Sequence, residues 1–184
     1  MALTPSNMIS LGTIASDFSL PDTISNETKS LANLKGEKAT VILFICNHCP
    51  YVKHLNNAIV NVANNYLPKG VSFVAISSND AIAVPEDSPE KMKENALKFD
   101  FKFPYLYDET QAVAKAYDAA CTPDIYVYDK DLKLVYRGQF DDSRPSNQVL
   151  PTGKDLANAL DAILSGNEVS KLQKPSIGCN IKWK

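Results

Sequence analysis

Two cysteines separated by two residues, Cys46 and Cys49, constrain the fold of this chain more than any other feature. The pair directly follows residues 41–45, an apolar run typical of a strand that is buried on both faces. Pro50 comes next, and because proline lacks an N–H group it is tolerated only in the first turn of a helix. The pair is therefore predicted to lie where a buried strand ends and a helix begins. The electropositive start of that helix favours thiolate over thiol.

The rest of the chain alternates between strand and helix patterns. Apolar residues recur at spacings of three and four over residues 51–66, which predicts a helix directly after the cysteine pair. The other predicted elements are a strand at 71–76, a helix from Ser88 to about 98, a strand at 103–107, a helix at 111–117, a hairpin of 124–128 with 132–137, and a helix at 154–164. Parallel strands joined by helices and followed by a hairpin predict an α/β, thioredoxin-like fold, in which helices flank a mixed β-sheet.

Length and composition limit the domain organisation and the partners. The 184 residues predict a single thioredoxin-like domain over 1–184, with an N-terminal extension at 1–37, a central helical insert, and a C-terminal tail at 167–184 without clear periodicity. A net charge of −2 without a basic run argues against nucleic acid as a partner. No stretch approaches the roughly 20 apolar residues that span a bilayer, so we expect no membrane association. Without a secretory pattern in residues 1–20, we expect a cytoplasmic, reducing location, where cysteines are more often catalytic or metal-binding than structural.

Three further residues are expected near the pair. His48 lies between the two cysteines and is expected to stabilise a neighbouring thiolate, the alternative being a solvated loop histidine. Thr122 and Pro123 precede a predicted strand, and in this fold a proline beside the thiol loop is expected to follow a cis peptide bond and to shape a docking groove.

Two more cysteines are harder to assign from the sequence. Cys121 precedes Pro123 by two residues, and it is a third redox thiol, a metal ligand or a buried filler. Cys179 lies in the C-terminal tail, where the sequence does not place it in space, and a structural or incidental role is expected for it.

These motifs, taken in order, resemble the peroxiredoxin-like redoxin proteins of the thioredoxin superfamily, the AhpC/TSA type. The resemblance covers almost the whole chain. The segments that carry it are residues 15–22, 46–52, 76–80, 85–89, 121–124 and 178–183. It implies a thioredoxin-like fold and thiol redox chemistry.

The same resemblance bears on the reaction. The attacking cysteine of a peroxiredoxin corresponds to Cys49, while the positions of its hydroxyl residue and its proline hold Cys46 and Ile42. The position of its arginine holds Thr122 and Pro123. The residues that activate peroxide are therefore missing, and the cysteine pair of a thioredoxin is present.

We therefore expect a thiol–disulfide oxidoreductase that needs no cofactor. Cys46 is the expected nucleophile with a depressed pKa, because the N-terminal cysteine of such a pair is normally the more exposed, and Cys49 resolves the mixed disulfide. The expected partners are a disulfide-bearing protein or small molecule and an external thiol reductant. Two alternatives stay open: a thiol peroxidase in which Cys49 attacks peroxide, and a metal-binding or metal-delivery protein that uses Cys46, Cys49 and Cys121 or His48.

Overall fold

Strands and short helices alternate along the chain in the computed structural model, which describes residues 3–184. The strands are β1 Leu3–Pro5, β2 Ser19–Pro21, β3 Thr28–Ser30, β4 Ala39–Phe44, β5 Val71–Ser77, β6 Tyr105–Tyr107, β7 Cys121–Thr122, β8 Asp124–Asp129, β9 Leu134–Arg137 and β10 Ile177–Asn180. The α-helices are α1 Leu31–Leu34, α2 Pro50–Tyr66, α3 Pro89–Lys98, α4 Ala112–Ala116 and α5 Lys154–Leu164. Within residues 3–184, no helix combines the length and the apolar character that crossing a bilayer requires.

The central sheet has five strands in the order β6-β5-β4-β8-β9. Strand β4 pairs in parallel with β5, and β5 pairs in parallel with β6. Strand β8 runs antiparallel to the other side of β4, and β9 continues the hairpin. The register sets Phe44 opposite both Ile76 and Asp124, so the end of β4 meets the start of β8 at one edge of the sheet. This edge carries the cysteine pair.

Helices cover both faces of this sheet. Val41 and Leu43 of β4 pack into one apolar core together with buried residues of α2, α3 and α5. Ile42 and Phe44 face the opposite side and pack with residues of α1, α4 and the N-terminal segment. Both faces of β4 are buried, as its uninterrupted apolar run predicted. The mixed sheet with helices on both sides confirms the expected thioredoxin-like architecture.

The first residues of α3 and of β9 are each set by interactions of nearby residues in the sequence. Helix α3 begins at Pro89, as expected, and the Ser88 hydroxyl accepts a hydrogen bond from the Lys91 N–H at 3.4 Å. The second hairpin strand begins at Leu134, two residues later than predicted. Leu132 takes a φ of 58° and donates its N–H to the Asp129 carbonyl, so it belongs to the turn instead of the strand.

The C-terminal tail contains a strand, which the sequence did not predict. Strand β10 lies between β1 and β7 in a separate sheet of three antiparallel strands. A strand of four residues is too short for alternation to be recognised, and both of its partners are far away in the sequence. Gly178 allows the close pairing, since a Cβ there would stand 2.0 Å from the Thr122 carbonyl oxygen.

Candidate active site

Cys46 and Cys49 lie on the loop that joins β4 to α2. Cys49 is the N-cap of α2 and Pro50 is its first residue, so the helix begins where the proline predicted. Each side chain affects the ionisation of the other, since the Cys46 thiol acts as a donor toward Cys49. Both residues are almost completely buried, with 1% of Cys46 and none of Cys49 exposed.

Several groups converge on the Cys49 sulfur. It lies 3.2 Å from the Thr122 carbonyl oxygen and 2.8 Å from the Cys179 sulfur. The hydrogen bond from Cys46 lowers the pKa of Cys49, burial opposes this, and the Cys179 thiol and the backbone N–H groups of Val52 and Cys179 lower it further, to about 5. Cys49 therefore carries a stabilised thiolate at neutral pH.

The surroundings of Cys46 act in the opposite direction. Burial raises the pKa of Cys46, and the hydrogen bond to Cys49 and the nearby Asp87 carboxylate raise it further, although a contact with Thr122 lowers it. The expectation that Cys46 has the depressed pKa was therefore wrong. The donors that stabilise Cys49 come partly from a distant strand, and the carboxylate near Cys46 comes from another loop, so neither could be read from the spacing of the pair.

His48 and Asp87 are hydrogen-bonded beside the loop that joins β4 to α2. The His48 Nδ1 lies 2.6 Å from the Asp87 Oδ2 and 3.6 Å from the Cys46 sulfur. Asp87 also accepts the backbone N–H groups of Asn47 at 2.7 Å and His48 at 3.1 Å, and the Asn79 amide at 2.8 Å. Burial raises the pKa of Asp87, but the hydrogen bonds from His48, Asn79 and Asn47 outweigh it, and its pKa is lowered. Asp87 thus fixes the conformation of the loop as an anion.

Sequence reasoning missed Asp87. It ends the short 3₁₀ turn Pro85–Asp87 and lies 39 residues after His48. No spacing rule links an acidic residue at that distance to a cysteine pair. Residues 85–89 carry part of the family resemblance, but that resemblance assigned no role to Asp87.

The geometry of His48 excludes a hydrolytic Cys–His–Asp relay. In such a relay the carboxylate binds one ring nitrogen and the nucleophile contacts the other. Here Asp87 and Cys46 both lie next to Nδ1. Because Asp87 is ionised, Nδ1 carries the proton that it donates to the carboxylate, and it is not free to take a proton from Cys46.

Thr122 and Pro123 lie against the cysteine pair. Their peptide bond is cis, as expected. The Thr122 hydroxyl lies 3.3 Å from the Cys46 sulfur, and its carbonyl faces Cys49. The structure therefore brings together the five residues that the sequence selected, Cys46, His48, Cys49, Thr122 and Pro123.

Cys121 differs from the other cysteines. It is fully buried, and its sulfur lies 3.5 Å from the Pro123 carbonyl oxygen. Burial raises the pKa of the Cys121 thiol, and the Asp124 carboxylate adds to the effect. A protonated, enclosed thiol favours the buried-filler interpretation. The thiol that does reach the pair is Cys179, for which the sequence predicted only a structural or incidental role.

One group of side chains has the composition of a metal site. The ligand atoms of Cys46, His48 and Asp87 lie within 4.8 Å of one another, and this is the only such group of three among residues 3–184. In this group Asp87 is the third possible ligand, whereas the metal-binding alternative from the sequence used Cys49 or Cys121. A metal ion there would have to replace the proton that His48 shares with Asp87.

Comparison with solved structures finds two relatives that match nearly the whole chain. An uncharacterized conserved protein from Geobacillus kaustophilus is 59% identical, with a TM-score of 0.99, over 100% of this chain and 97% of that chain. A hypothetical protein from Sinorhizobium meliloti 1021 is 49% identical, with a TM-score of 0.96, over 98% of each chain. Peroxidoxin BcpB from Mycobacterium tuberculosis shares the fold at 20% identity, with a TM-score of 0.63, over 86% of this chain and 98% of that chain. No match was found among curated proteins.

A family comparison gives the same assignment. The AhpC/TSA family matches residues 11–137, which include the cysteine pair, Asp87 and Pro123 but not β10. Proteins that share this fold are peroxiredoxins and thioredoxin-like thiol–disulfide oxidoreductases, so the fold and the family agree with the expected redox chemistry. This chain belongs to the AhpC/TSA family and has a thioredoxin-like fold.

Proposed function

We propose that this protein is a thiol–disulfide oxidoreductase that cycles Cys46 and Cys49 between the dithiol and the disulfide. The main support is the position of the two thiols at the start of α2, together with the pKa of about 5 that Cys49 has there. A thiolate next to a protonated thiol is the state from which such a pair attacks a disulfide and then closes on itself.

In this mechanism the Cys49 thiolate attacks one sulfur of the substrate disulfide, and the other substrate sulfur leaves as a thiolate. Cys46 then attacks Cys49 in the mixed disulfide. The second substrate thiol leaves, and a Cys46–Cys49 disulfide forms. An external thiol reductant restores the dithiol. These roles are the reverse of those expected from the sequence, because the low pKa falls on Cys49.

The neighbours of the pair have supporting roles in this proposal. His48, held by its hydrogen bond to Asp87, keeps its imidazole ring 3.6 Å from the Cys46 sulfur, where it affects how readily that thiol reacts. Thr122 and Pro123 form the wall against which a substrate docks. Because neither sulfur is more than 1% exposed, a disulfide-bearing protein or small molecule reaches them only after a local opening. The dependence on a thiol reductant suits a reducing compartment such as the cytoplasm.

Peroxide reduction is the second candidate, favoured by the low pKa of Cys49 and by the family. Cleavage of the O–O bond needs a preorganised donor or cation at the leaving oxygen. The chain has two arginines. Arg137 pairs with Asp124 at 3.6 Å, and Arg144 donates to Gln139, Asp141 and Ser143. Because the ion pair and hydrogen bonds of the two guanidinium groups go to residues other than Cys49, we rank disulfide exchange above peroxide reduction.

Rapid-mixing kinetics separate the two reactions. The reduced protein is mixed with a model protein disulfide or with hydrogen peroxide, and oxidation is followed in the wild type and in the variants Cys49→Ser, Cys46→Ser and Cys121→Ser. We expect Cys49→Ser to abolish disulfide reduction, Cys46→Ser to form the mixed disulfide on Cys49 without closing a Cys46–Cys49 disulfide, and Cys121→Ser to behave as the wild type. Loss of one oxyanion donor typically costs about 10²–10³ in rate, so peroxide should oxidise Cys49 no faster than an ordinary low-pKa thiol. A peroxide rate far above that level would favour peroxide reduction as the function. A mixed disulfide trapped on Cys46 instead of Cys49 would make Cys46 the nucleophile, as the sequence predicted.

A further inference from the structure

A second thiol reaches Cys49 from the C-terminal strand β10. The Cys179 sulfur lies 2.8 Å from the Cys49 sulfur, although 130 residues separate the two. An S–S bond is about 2.05 Å long, so only a small adjustment separates this contact from a bond. We propose that Cys179 is a third redox residue, which takes Cys49 from the Cys46–Cys49 disulfide to form an alternative Cys49–Cys179 disulfide. This inference rests on the proposed function for its starting disulfide.

The position of Cys179 is held by backbone pairing on both sides. Strand β10 lies between β1 and β7, with Cys179 opposite Leu3 and Thr122. Gly178 permits the close approach, because a Cβ there would also stand 2.7 Å from the Thr122 carbonyl carbon and 3.2 Å from Pro123 Cδ. A strand fixed in this way presents its cysteine to the pair as a constant part of the site.

The residues that follow β10 are hydrogen-bonded to the segment that holds the redox loop, residues 45–50, which carries Cys46 and Cys49. The Lys182 carbonyl accepts the Asp80 N–H at 2.9 Å, and the Lys182 N–H donates to the Asn79 side chain at 2.8 Å. Asn79 in turn donates to Asp87, which holds the loop of Cys46. Cys46 and Cys179 are therefore placed relative to Cys49 by one connected hydrogen-bond network.

The exchange step balances without an external oxidant. The Cys179 sulfur attacks the Cys49 sulfur, so that a Cys49–Cys179 bond forms and the Cys46–Cys49 bond breaks. Cys46 leaves with the electron pair and gains a proton, while Cys179 loses one. The number of disulfides stays the same, and the thiol moves from the C-terminal strand to the redox loop.

Oxidation of the pair makes Cys179 more reactive. In the dithiol state, burial raises the pKa of Cys179 to about 12, assisted by its hydrogen bond to Cys49 and by the Cys49 charge, while Lys182 lowers it. When Cys49 is in a disulfide it carries no charge and accepts no proton. Two of the three causes that suppress ionisation of Cys179 are then absent, so attack becomes easier only after the first disulfide has formed.

The alternative disulfide differs from the first in its connections. It would join the start of α2 to β10, two elements that the Cys46–Cys49 disulfide leaves unlinked. Its sulfurs belong to residues that are 0% and 3% exposed. Cys46 is itself only 1% exposed, so an external thiol reaches either disulfide only after a local opening.

Disulfide mapping by mass spectrometry tests the proposal on the full chain. The wild type and the variants Cys46→Ser, Cys179→Ser and Cys121→Ser are oxidised with glutathione disulfide, quenched with acid at increasing times, alkylated and digested. In the wild type we expect a Cys46–Cys49 peptide first, followed by a Cys49–Cys179 peptide while Cys46 becomes available to the alkylating reagent. In Cys46→Ser we expect Cys49–Cys179 as the major product, and in Cys179→Ser only Cys46–Cys49. Cys121→Ser is the matched control and should follow the wild type.

The outcomes separate this inference from the proposed function. If Cys46→Ser keeps glutathione on Cys49 while Cys179 stays a free thiol, the third redox residue is refuted and the Cys46–Cys49 pair stands. If the wild type forms Cys49–Cys179 without ever forming Cys46–Cys49, the proposed pair is refuted and the exchange step with it. Correct folding of each variant is checked by its thermal unfolding, since mapping is interpreted only on folded protein.

Discussion

The redox loop, residues 45–50, and the C-terminal strand β10 each bring a thiol to Cys49, but they do so by different means. In the loop, Cys46 is a close neighbour in the sequence, and burial, the hydrogen bond to Cys49 and the nearby Asp87 anion keep its proton bound. In the strand, Cys179 is held by pairing with β1 and β7, and both its thiol and its N–H stabilise the Cys49 anion. The Cys49 thiol is thus acidic because donors surround it, whereas the Cys46 thiol is less acidic because it is buried near a carboxylate.

Ionisation of Cys49 is the largest effect that this comparison predicts. Alkylation of Cys49 followed against pH should have a midpoint near pH 5, the value to which its donors lower the pKa, instead of the free-cysteine value of about 8.5. Because the pKa is depressed in the folded state, the thiolate stabilises the fold fully above the unfolded pKa, and this stability is lost as the pH falls through 5. Cys179→Ala should raise the midpoint, since it removes one of the donors that stabilise the Cys49 thiolate.

The assignment of the low pKa is open to a direct check. Peptide mapping of the alkylated protein identifies which cysteine reacts at each pH, with Cys121→Ser as the control that should leave the profile unchanged. If Cys46 reacts with the low midpoint and Cys49 does not, the low pKa belongs to Cys46, and the donors from β10 do not determine which thiol is acidic.

Gly178→Ala tests the strand side. The added Cβ would meet the Thr122 carbonyl oxygen at 2.0 Å, so the pairing of β10 with β7 has to open. Overpacking of this kind costs about 3 kcal/mol, measured as a drop in the free energy of unfolding in urea. Asn180→Ala, on the same strand but without this close approach, is the matched control and should cost much less. Equal effects of the two substitutions would show that the close pairing at Gly178 does not hold the strand.

Asp87→Asn tests the loop side and should have the smaller effect. It removes the charge that pairs with His48 and that receives two loop N–H groups, which should cost about 2 kcal/mol. The pKa of Asp87 is lowered in the folded state, so its contribution is present above about pH 4 and is lost as the pH falls through the folded pKa. The variant should therefore lose less stability than the wild type on acidification.

The control for this variant is an exposed carboxylate. Asp100 forms only a surface ion pair with Lys102, so Asp100→Asn should change stability by no more than about 0.5 kcal/mol. Urea denaturation at neutral and acidic pH measures both variants. If Asp87→Asn is as stable as Asp100→Asn at every pH, the carboxylate does not hold the redox loop.

The amino-acid sequence determined the features that depend on neighbours along the chain. The apolar run of β4, the start of α2 at Pro50 and the Ser88 cap of α3 each follow from a few adjacent residues, whose chemistry permits one local structure. The cysteine pair belongs to the same class, because its spacing alone brings two thiols to the start of a helix. The order of these elements was enough to predict the thioredoxin-like architecture.

Only the tertiary structure decided which thiol is acidic and which residues surround it. Asp87 is 39 residues from His48 and Cys179 is 130 residues from Cys49, and both arrive through folding of segments that have no pattern of their own. A pKa is set by the charges and donors within a few ångströms, whatever their distance along the chain. The sequence therefore selected Cys46, His48 and Cys49 through their spacing, whereas only the fold brought Asp87 and Cys179 to them and set which thiol is acidic.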